Sequence, residues 1–282
     1  MVEPKKATIT PWSQWCTFED KRIHYIDTAA PRNGDTLLII HGYLGSTVSF
    51  LDLIDTLSGD FRVVMPDFPA FGASEAPHST YTMEFYLDFL EAFSQAVGLD
   101  HYFLMGASMG ANIAVHYTVL HPQQVQRLIF LSPFGLKDQA GRMAQIKRWD
   151  PLLPLAASLI TKRNIERWLL RSIYNDDRVT PELVDAYWRP LTTPEGRRIT
   201  VEITRKIVGR CSMDELLPQI GQPVLILVGS EDTLISLKDR EKYSELLADE
   251  QLEIVERSGH FVYLDSPDVV SNKTVRFTRG GM

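Results

Sequence analysis

The stretch from Tyr102 to His121 constrains this chain more than any other. An apolar run from Tyr102 reads as a short buried strand, Gly106-Ala107-Ser108-Met109-Gly110 closes it, and a helical pattern runs from Met109 to about His121, ended by Pro122. Joining strand to helix through so few residues forces a sharp turn, with Ser108 at its tip in a strained backbone conformation. Side chains at 106 and 110 would collide where strand and helix converge, and glycine at both positions removes the collision. At ordinary glycine and serine frequencies such a pentapeptide arises by chance about 0.1 times in a chain of this length. Its meaning therefore comes from the strand–turn–helix context. Gly72-Ala73-Ser74-Glu75-Ala76 serves as a comparison: it follows Pro69 rather than a strand, and Pro77 stands where a helix would have to begin. Ser74 is not expected to act as a nucleophile.

The 282 residues, 44% hydrophobic, suffice for a substantial core, either one large domain or a domain with an inserted lobe. Two cysteines, Cys16 and Cys211, give neither a disulfide framework nor metal-ligand spacing, which makes a reducing compartment, the cytoplasm, the default expectation. Lys5 and Lys6 are followed by Pro11-Trp12-Ser13-Gln14 rather than an apolar signal-peptide core, and no apolar run reaches the length of a membrane span. A soluble protein is expected. The formal charge of -7 argues against a nucleic-acid footprint across the surface. That total is unevenly spread. Residues 136–212 carry 15 Lys or Arg against 9 Asp or Glu, a net of +6, which leaves -13 for the remainder.

Along the chain, Ile23 to Thr28 alternate as a half-exposed strand would, and Pro31 to Asp35 form a turn. A continuous apolar strand is expected at Thr36–Ile40, and further strands at Phe61–Met65, Arg127–Leu131, Val224–Val228 and Leu252–Val255. Helices are expected at Met83–Val97, with Gly98 as its C-terminal cap, near Leu237–Leu247, and from about Pro267 to Phe277. Between them, residues 136–212 show no strand pattern; tryptophans 149, 168 and 188 and several leucines are interleaved with arginines. The pattern predicts an α/β protein: a mainly parallel sheet with helices on both faces, made of residues 1–135 and 213–282, with a helical cap inserted at 136–212. Ligands of such sheets bind at the carboxyl ends of the strands.

Five markers now stand in order: His41-Gly42, the Pro66 to Ser74 loop, the 106–110 turn, Gly229-Ser230-Glu231-Asp232, and Gly259-His260. Through them the chain resembles, over nearly its full length, the α/β-hydrolase family, in its serine-nucleophile branch with a cap domain. Ala70 departs from the glycine usual in the family's loop. The resemblance implies Ser108 as nucleophile, Asp232 as acid and His260 as base, and no metal or cofactor. The residues' chemistry agrees: a serine hydroxyl needs an imidazole to take its proton, and of seven histidines only His260 combines a preceding glycine with a place just beyond a late strand. His41 reads as support for the loop that follows it, whereas His24, His78, His101, His116 and His121 read as surface or helix-end residues. For the acid, Glu231 rivals Asp232 on position alone; the family places the acid second in the pair. It also implies an oxyanion hole from the backbone amides of Met109 and Tyr43, roles that leave both side chains less constrained. Serine at 108 sets the chain apart from the aspartate-nucleophile branch.

The methionine after the serine, the Ser132-Pro133-Phe134-Gly135-Leu136 exit and the cap are similar to the monoacylglycerol-lipase-like and carboxylesterase branch. This implies a serine hydrolase acting on carboxylic esters with a medium apolar acyl group. Carbon–carbon bond hydrolases of ring-cleavage diketones are related alternatives, although they often carry asparagine before the nucleophile, where this chain has Ala107. A slow-turnover ligand receptor on the same fold is a third reading. The Trp- and Leu-rich cap is a candidate wall for an acyl pocket or simply its own core, and its net charge is either a solvated face or a site of weak contact with anionic membrane surfaces.

Overall fold

The computed structural model describes residues 10–29, 34–139, 152–209 and 212–280. Eight strands form one sheet: β1 (Ser13–Phe18), β2 (Lys21–Asp27), β3 (Thr36–Ile40), β4 (Arg62–Pro66), β5 (Tyr102–Ala107), β6 (Val125–Leu131), β7 (Val224–Gly229) and β8 (Glu250–Val255). Their order is β1-β2-β4-β3-β5-β6-β7-β8, with β1 and β2 antiparallel to their neighbours and the rest parallel. The uninterrupted apolar strands are those buried on both faces: Leu37 to Ile40 and Val224 to Val228 are fully excluded from solvent. Each such side chain contributes about 1.5–3 kcal/mol of burial, which fixes the sheet centre.

Helices α1 (Leu51–Leu57), α2 (Met83–Ala96), α3 (Met109–Leu120), α8 (Leu237–Leu246), α9 (Val262–Asp265) and α10 (Pro267–Thr278) accompany the sheet. Among the described residues, the segment between β6 and β7 contains no strand. It holds α4 (Leu153–Leu159), α5 (Lys162–Ser172), α6 (Pro181–Trp188), α7 (Pro194–Ile203) and a π turn at Thr204–Val208 that continues α7. Three of these helices start in the same local way. Thr161, Thr180 and Thr193 each accept a backbone N–H of the first turn, and proline follows directly at 181 and 194, where its missing N–H is no loss. No helix among the described residues is long and apolar enough to cross a membrane.

The core strands and the helices at 83–96, 109–120, 237–246 and 267–278 stand within one to three residues of the sequence expectation, and Gly98 caps α2 with φ +68°. Strand β1 is an addition. Its outward residues face solvent at the sheet edge, so it lacks the clear alternation that marks a half-buried strand. The one-turn helix at 47–50 with α1, and α9, are also additions. His24 is corrected: it lies on β2, only 1% exposed, because its imidazole is drawn inward by the Asp67 carboxylate. His116 is likewise mid-helix in α3, bonded to the Asn112 carbonyl at 2.9 Å. Pro31 to Asn33, Trp149 and Cys211 lie outside the described residues.

Candidate active site

Strand order reverses between β3 and β5, which lie side by side, so their carboxyl ends open a crevice at the centre of the sheet. His41-Gly42 leaves one end and Ser108 the other. Ser108 has φ 51° and ψ -118°, a conformation that costs about 1–3 kcal/mol and persists only where the surroundings hold it. Here they do: Ser108 N–H donates to Leu131 O at 2.9 Å, and its carbonyl accepts from Ala111 at 3.0 Å and Phe134 at 3.2 Å. The flanking glycines are obligatory. A Cβ on Gly106 would lie 2.7 Å from the Ala111 backbone, and one on Gly110 would lie 2.5 Å from Ile40 O.

The Ser108 hydroxyl points at His260, with Oγ 3.0 Å from Nε2, and Nδ1 of the same ring is 3.0 Å from Asp232 Oδ2. Thus 152 residues of chain close on one hydrogen-bonded line. The other carboxylate oxygen, Oδ1, accepts from Leu234 N–H at 2.8 Å and Ile235 N–H at 3.1 Å, which fixes its direction. Burial alone would raise the Asp232 carboxyl, but His260, as a charge and as a donor, and the Leu234 amide hold it below the usual carboxylate range. Glu231 is exposed and its nearest side-chain partner is Ser230, at 3.4 Å.

The loop 41–45 lies directly against the serine: a Cβ on Gly42 would sit 3.1 Å from Ser108 Cβ. Tyr43 follows at once. Met109 is the first residue of α3, where an N–H has no partner within its own helix. Tyr43 thus follows the residue that abuts Ser108 in space, and Met109 follows Ser108 in the chain. The Tyr43 side chain is more constrained than expected, its hydroxyl lying 2.6 Å from Thr204 Oγ1 and burial pushing it up to about 12 against the effect of that bond. His41 braces the loop from beneath. Its Nδ1 donates to Gly42 O at 2.8 Å, and Nε2 accepts from Phe68 N–H at 3.0 Å. Nε2 must be unprotonated to accept, so the ring is neutral, in keeping with the lowering that complete burial imposes.

Two features had no sequence signal. Asp265, at the end of α9, gathers three amides: Oδ1 accepts from Asn175 at 2.9 Å and Tyr174 at 3.1 Å, and Oδ2 from Gly259 at 2.8 Å and Tyr174 at 3.0 Å. It ties the loop of His260 to the segment after α5, whose Ser172 carbonyl accepts from His260 N–H at 2.8 Å. Gly259 is required there, because a Cβ would meet Ser172 O at 2.4 Å. The second feature is another Ser–His–Asp line: Ser13 Oγ lies 3.0 Å from His24 Nε2, and His24 Nδ1 lies 2.9 Å from Asp67 Oδ2. Asp67 also accepts from the amides of Thr47 at 2.6 Å and Ala73 at 2.8 Å. Burial would raise its carboxyl, but His24 and the Ala73 amide bring it below its ordinary value. Ser74 belongs to the same network, donating to Asp67 O at 2.7 Å and accepting from His24 N–H at 3.0 Å.

Next to His260, Trp168 of α5 and Tyr187 of α6 pack on Phe261, with ring centroids 5.5 and 5.8 Å away, so these aromatics join the helices between β6 and β7 to the loop after β8. Leu155 and Leu159 point outward, 58% and 69% exposed. Among the described residues no group of three or more His, Cys, Asp or Glu is arranged to hold a metal ion.

The chain is similar to an uncharacterized hydrolase of Bacillus subtilis, 22% identical over 86% of this chain and 90% of the other. It is also similar to the 2-hydroxy-6-oxo-2,4-heptadienoate hydrolase of Pseudomonas putida, 23% identical over 82% and 84%. A solved bacterial membrane phospholipase A superposes with a TM-score of 0.79 at 21% identity, covering 95% of this chain and 86% of that one. Residues 35–191 match the family defined by the alpha/beta hydrolase fold. With the sheet order and the 106–110 turn agreeing, the chain belongs to the alpha/beta hydrolase fold family.

Proposed function

We propose that this hydrolase cleaves carboxylic esters through an acyl-enzyme on Ser108, with residues 136–212 as its cap. The observation that carries this reading is the line Ser108 Oγ, His260, Asp232, with both bonds at 3.0 Å. His260 Nε2 takes the hydroxyl proton as Oγ bonds to the ester carbonyl carbon. The carbonyl oxygen becomes an oxyanion between the amides of Tyr43 and Met109. Its collapse breaks the bond to the alcohol, which leaves with the proton from Nε2. Water then repeats the sequence on the acyl-enzyme, releasing the acid and restoring Ser108. Asp232 keeps the imidazole in the tautomer with its proton on Nδ1 and supports the transient imidazolium. Ala107 and Tyr43-Leu44 favour esters over ring-cleavage diketones, and the two cysteines fit a reducing compartment such as the cytoplasm.

Mass spectrometry after treatment with a fluorophosphonate tests the nucleophile. The expected adduct lies on the peptide containing Ser108, and an unlabelled peptide overturns the reading. Hydrolysis rates for graded p-nitrophenyl esters, a monoacylglycerol and a ring-cleavage diketone test the bond. Turnover of the diketone alone would transfer the assignment to carbon–carbon hydrolysis; the Pseudomonas putida relative is named for hydrolysis of 2-hydroxy-6-oxo-2,4-heptadienoate.

A further inference from the structure

Beside α4, α7 and the π turn lies a cavity of about 730 Å³. Pro154, Pro194 and Val201 give it apolar walls, and among the described residues Arg197, Arg198, Arg205 and Lys206 face it with one acid, Glu202. The described lining therefore carries a formal net +3, or +2 once Glu195, paired with Arg198, is counted. Glu202 is shared by Arg198 at 3.0 Å and Lys206 at 2.6 Å, so one carboxylate serves two cations. Arg197 spends two of its five N–H groups on the carbonyls of Leu191 and Ser158, which hold the guanidinium in place at the wall. Cations outnumbering acids, with the fork of Arg197 anchored, make a pocket for a tetrahedral oxyanion.

The surface beside the cavity narrows the choice. Pro154 and Ser158 of α4 line it, and Leu155 and Leu159, one position further round the same helix, are largely exposed, as is Leu152 at 46%. A charged hollow bordered by an apolar helix face suits a molecule with a phosphate head and an acyl tail, lying in a surface the leucines can enter. We propose that the cap cavity binds the phosphate headgroup of an anionic lipid, seating the cap on the lipid surface. Helix α7, which also lines the cavity, runs on to Thr204, the first residue of the π turn, whose hydroxyl lies 2.6 Å from that of Tyr43 in the loop after β3. Occupying the cavity therefore loads the element that packs on the oxyanion loop, in a turn type frequent at functional sites.

Ser108→Ala protein is tested for co-sedimentation with vesicles of phosphatidylcholine alone and of phosphatidylcholine with one-fifth phosphatidic acid, and for binding of inorganic phosphate by calorimetry. Nothing is turned over, so the outcome is independent of the ester-hydrolase reading, which the fluorophosphonate experiment decides separately. Binding is expected to rise with phosphatidic acid and to fall with salt. Arg205→Gln with Lys206→Gln should weaken it about 30-fold, with a far-ultraviolet circular dichroism melt checking the fold; if that pair fails to fold, Lys206→Gln alone should still weaken binding about fivefold. Equal binding to both vesicles, or affinity indifferent to these substitutions in a folded protein, overturns the proposal. Saturable binding of inorganic phosphate without preference for phosphatidic acid overturns the lipid source.

Discussion

Replacing Asp265 by alanine removes a carboxylate that touches no substrate, yet it holds the amide next to the proposed base. Three N–H groups, of Gly259, Tyr174 and Asn175, lose their acceptor at once. A hydrogen bond to a charged group is worth about 1.5–3 kcal/mol when water is excluded. Asp265 is half-buried, so water refills part of the site, and about 1 kcal/mol per amide, or roughly 3 kcal/mol of stability, is the expected loss. The larger effect falls on rate. His260 follows Gly259 directly and must keep Nε2 3.0 Å from Ser108 Oγ; a shift on the order of 1 Å costs about a hundredfold in a positioned reaction. Steady-state hydrolysis of p-nitrophenyl butyrate should show kcat falling roughly 10- to 100-fold, with KM changed by less than about threefold. The shape of the pH profile should not move, because Asp265 positions and does not exchange protons. The rate of inactivation by a fluorophosphonate should fall in parallel, and Asp265→Asn, which keeps one acceptor oxygen, should recover part of both losses. A folded Asp265→Ala protein with kcat within twofold of the parent would refute the reasoning.

Other substitutions probe the loops around the crevice. Ala70 sits at φ +73°, and Ala70→Gly should stabilise the protein by about 0.5–1 kcal/mol in urea titration, the relief of left-handed strain less the flexibility glycine adds to the unfolded chain; destabilisation would contradict it. Asp67 has a depressed carboxyl when folded, so its contribution is complete above the unfolded value of about 3.9 and is lost as pH falls through the lower folded one. Asp67→Asn should therefore cost about 3 kcal/mol at pH 7 and flatten the acid limb of stability against pH, and an unchanged slope in urea midpoints between pH 3 and 5 would count against this. Tyr43→Phe removes the bond to Thr204 and leaves the Tyr43 amide in place, so a loss of about 1 kcal/mol in stability should accompany activity within a few-fold of the parent; a hundredfold fall in kcat would give the hydroxyl a direct part in the chemistry.

What the sequence displays and what it conceals divide along physical lines. Residues 36–40, 102–107 and 224–229 are legible because a strand buried on both faces must be apolar throughout. The turn at Ser108 is legible because only glycine tolerates the backbone approaches at 106 and 110. Asp232 and His260 are implied by family order, and the structure sets the His260 ring 3.0 Å from both Asp232 Oδ2 and Ser108 Oγ. His24 shows the opposite case: nothing local distinguishes a solvent-facing imidazole on a strand from one drawn inward by a carboxylate 43 residues away. Asp265 escaped because its partners are backbone amides as far as 91 residues distant, and any residue but proline supplies those. The exposed edge strand at 13–18 offered too little apolar pattern to be seen.

The protein contains a comparison with itself. Ser13, His24 and Asp67 repeat the pairings of Ser108, His260 and Asp232, with nearly the same distances. A search that ranked sites by side-chain pattern would return both. They differ in what surrounds the hydroxyl: Ser13 lies in extended backbone and accepts the Thr10 amide at 3.0 Å, whereas Ser108 is twisted to φ 51° at the start of α3, whose first N–H has no partner within the helix. Reactivity toward acylating reagents should accordingly fall on one serine alone. Triads in this sense are cheap to assemble by chance packing, and the scarce ingredient is a main chain bent far enough to leave its own amides waiting.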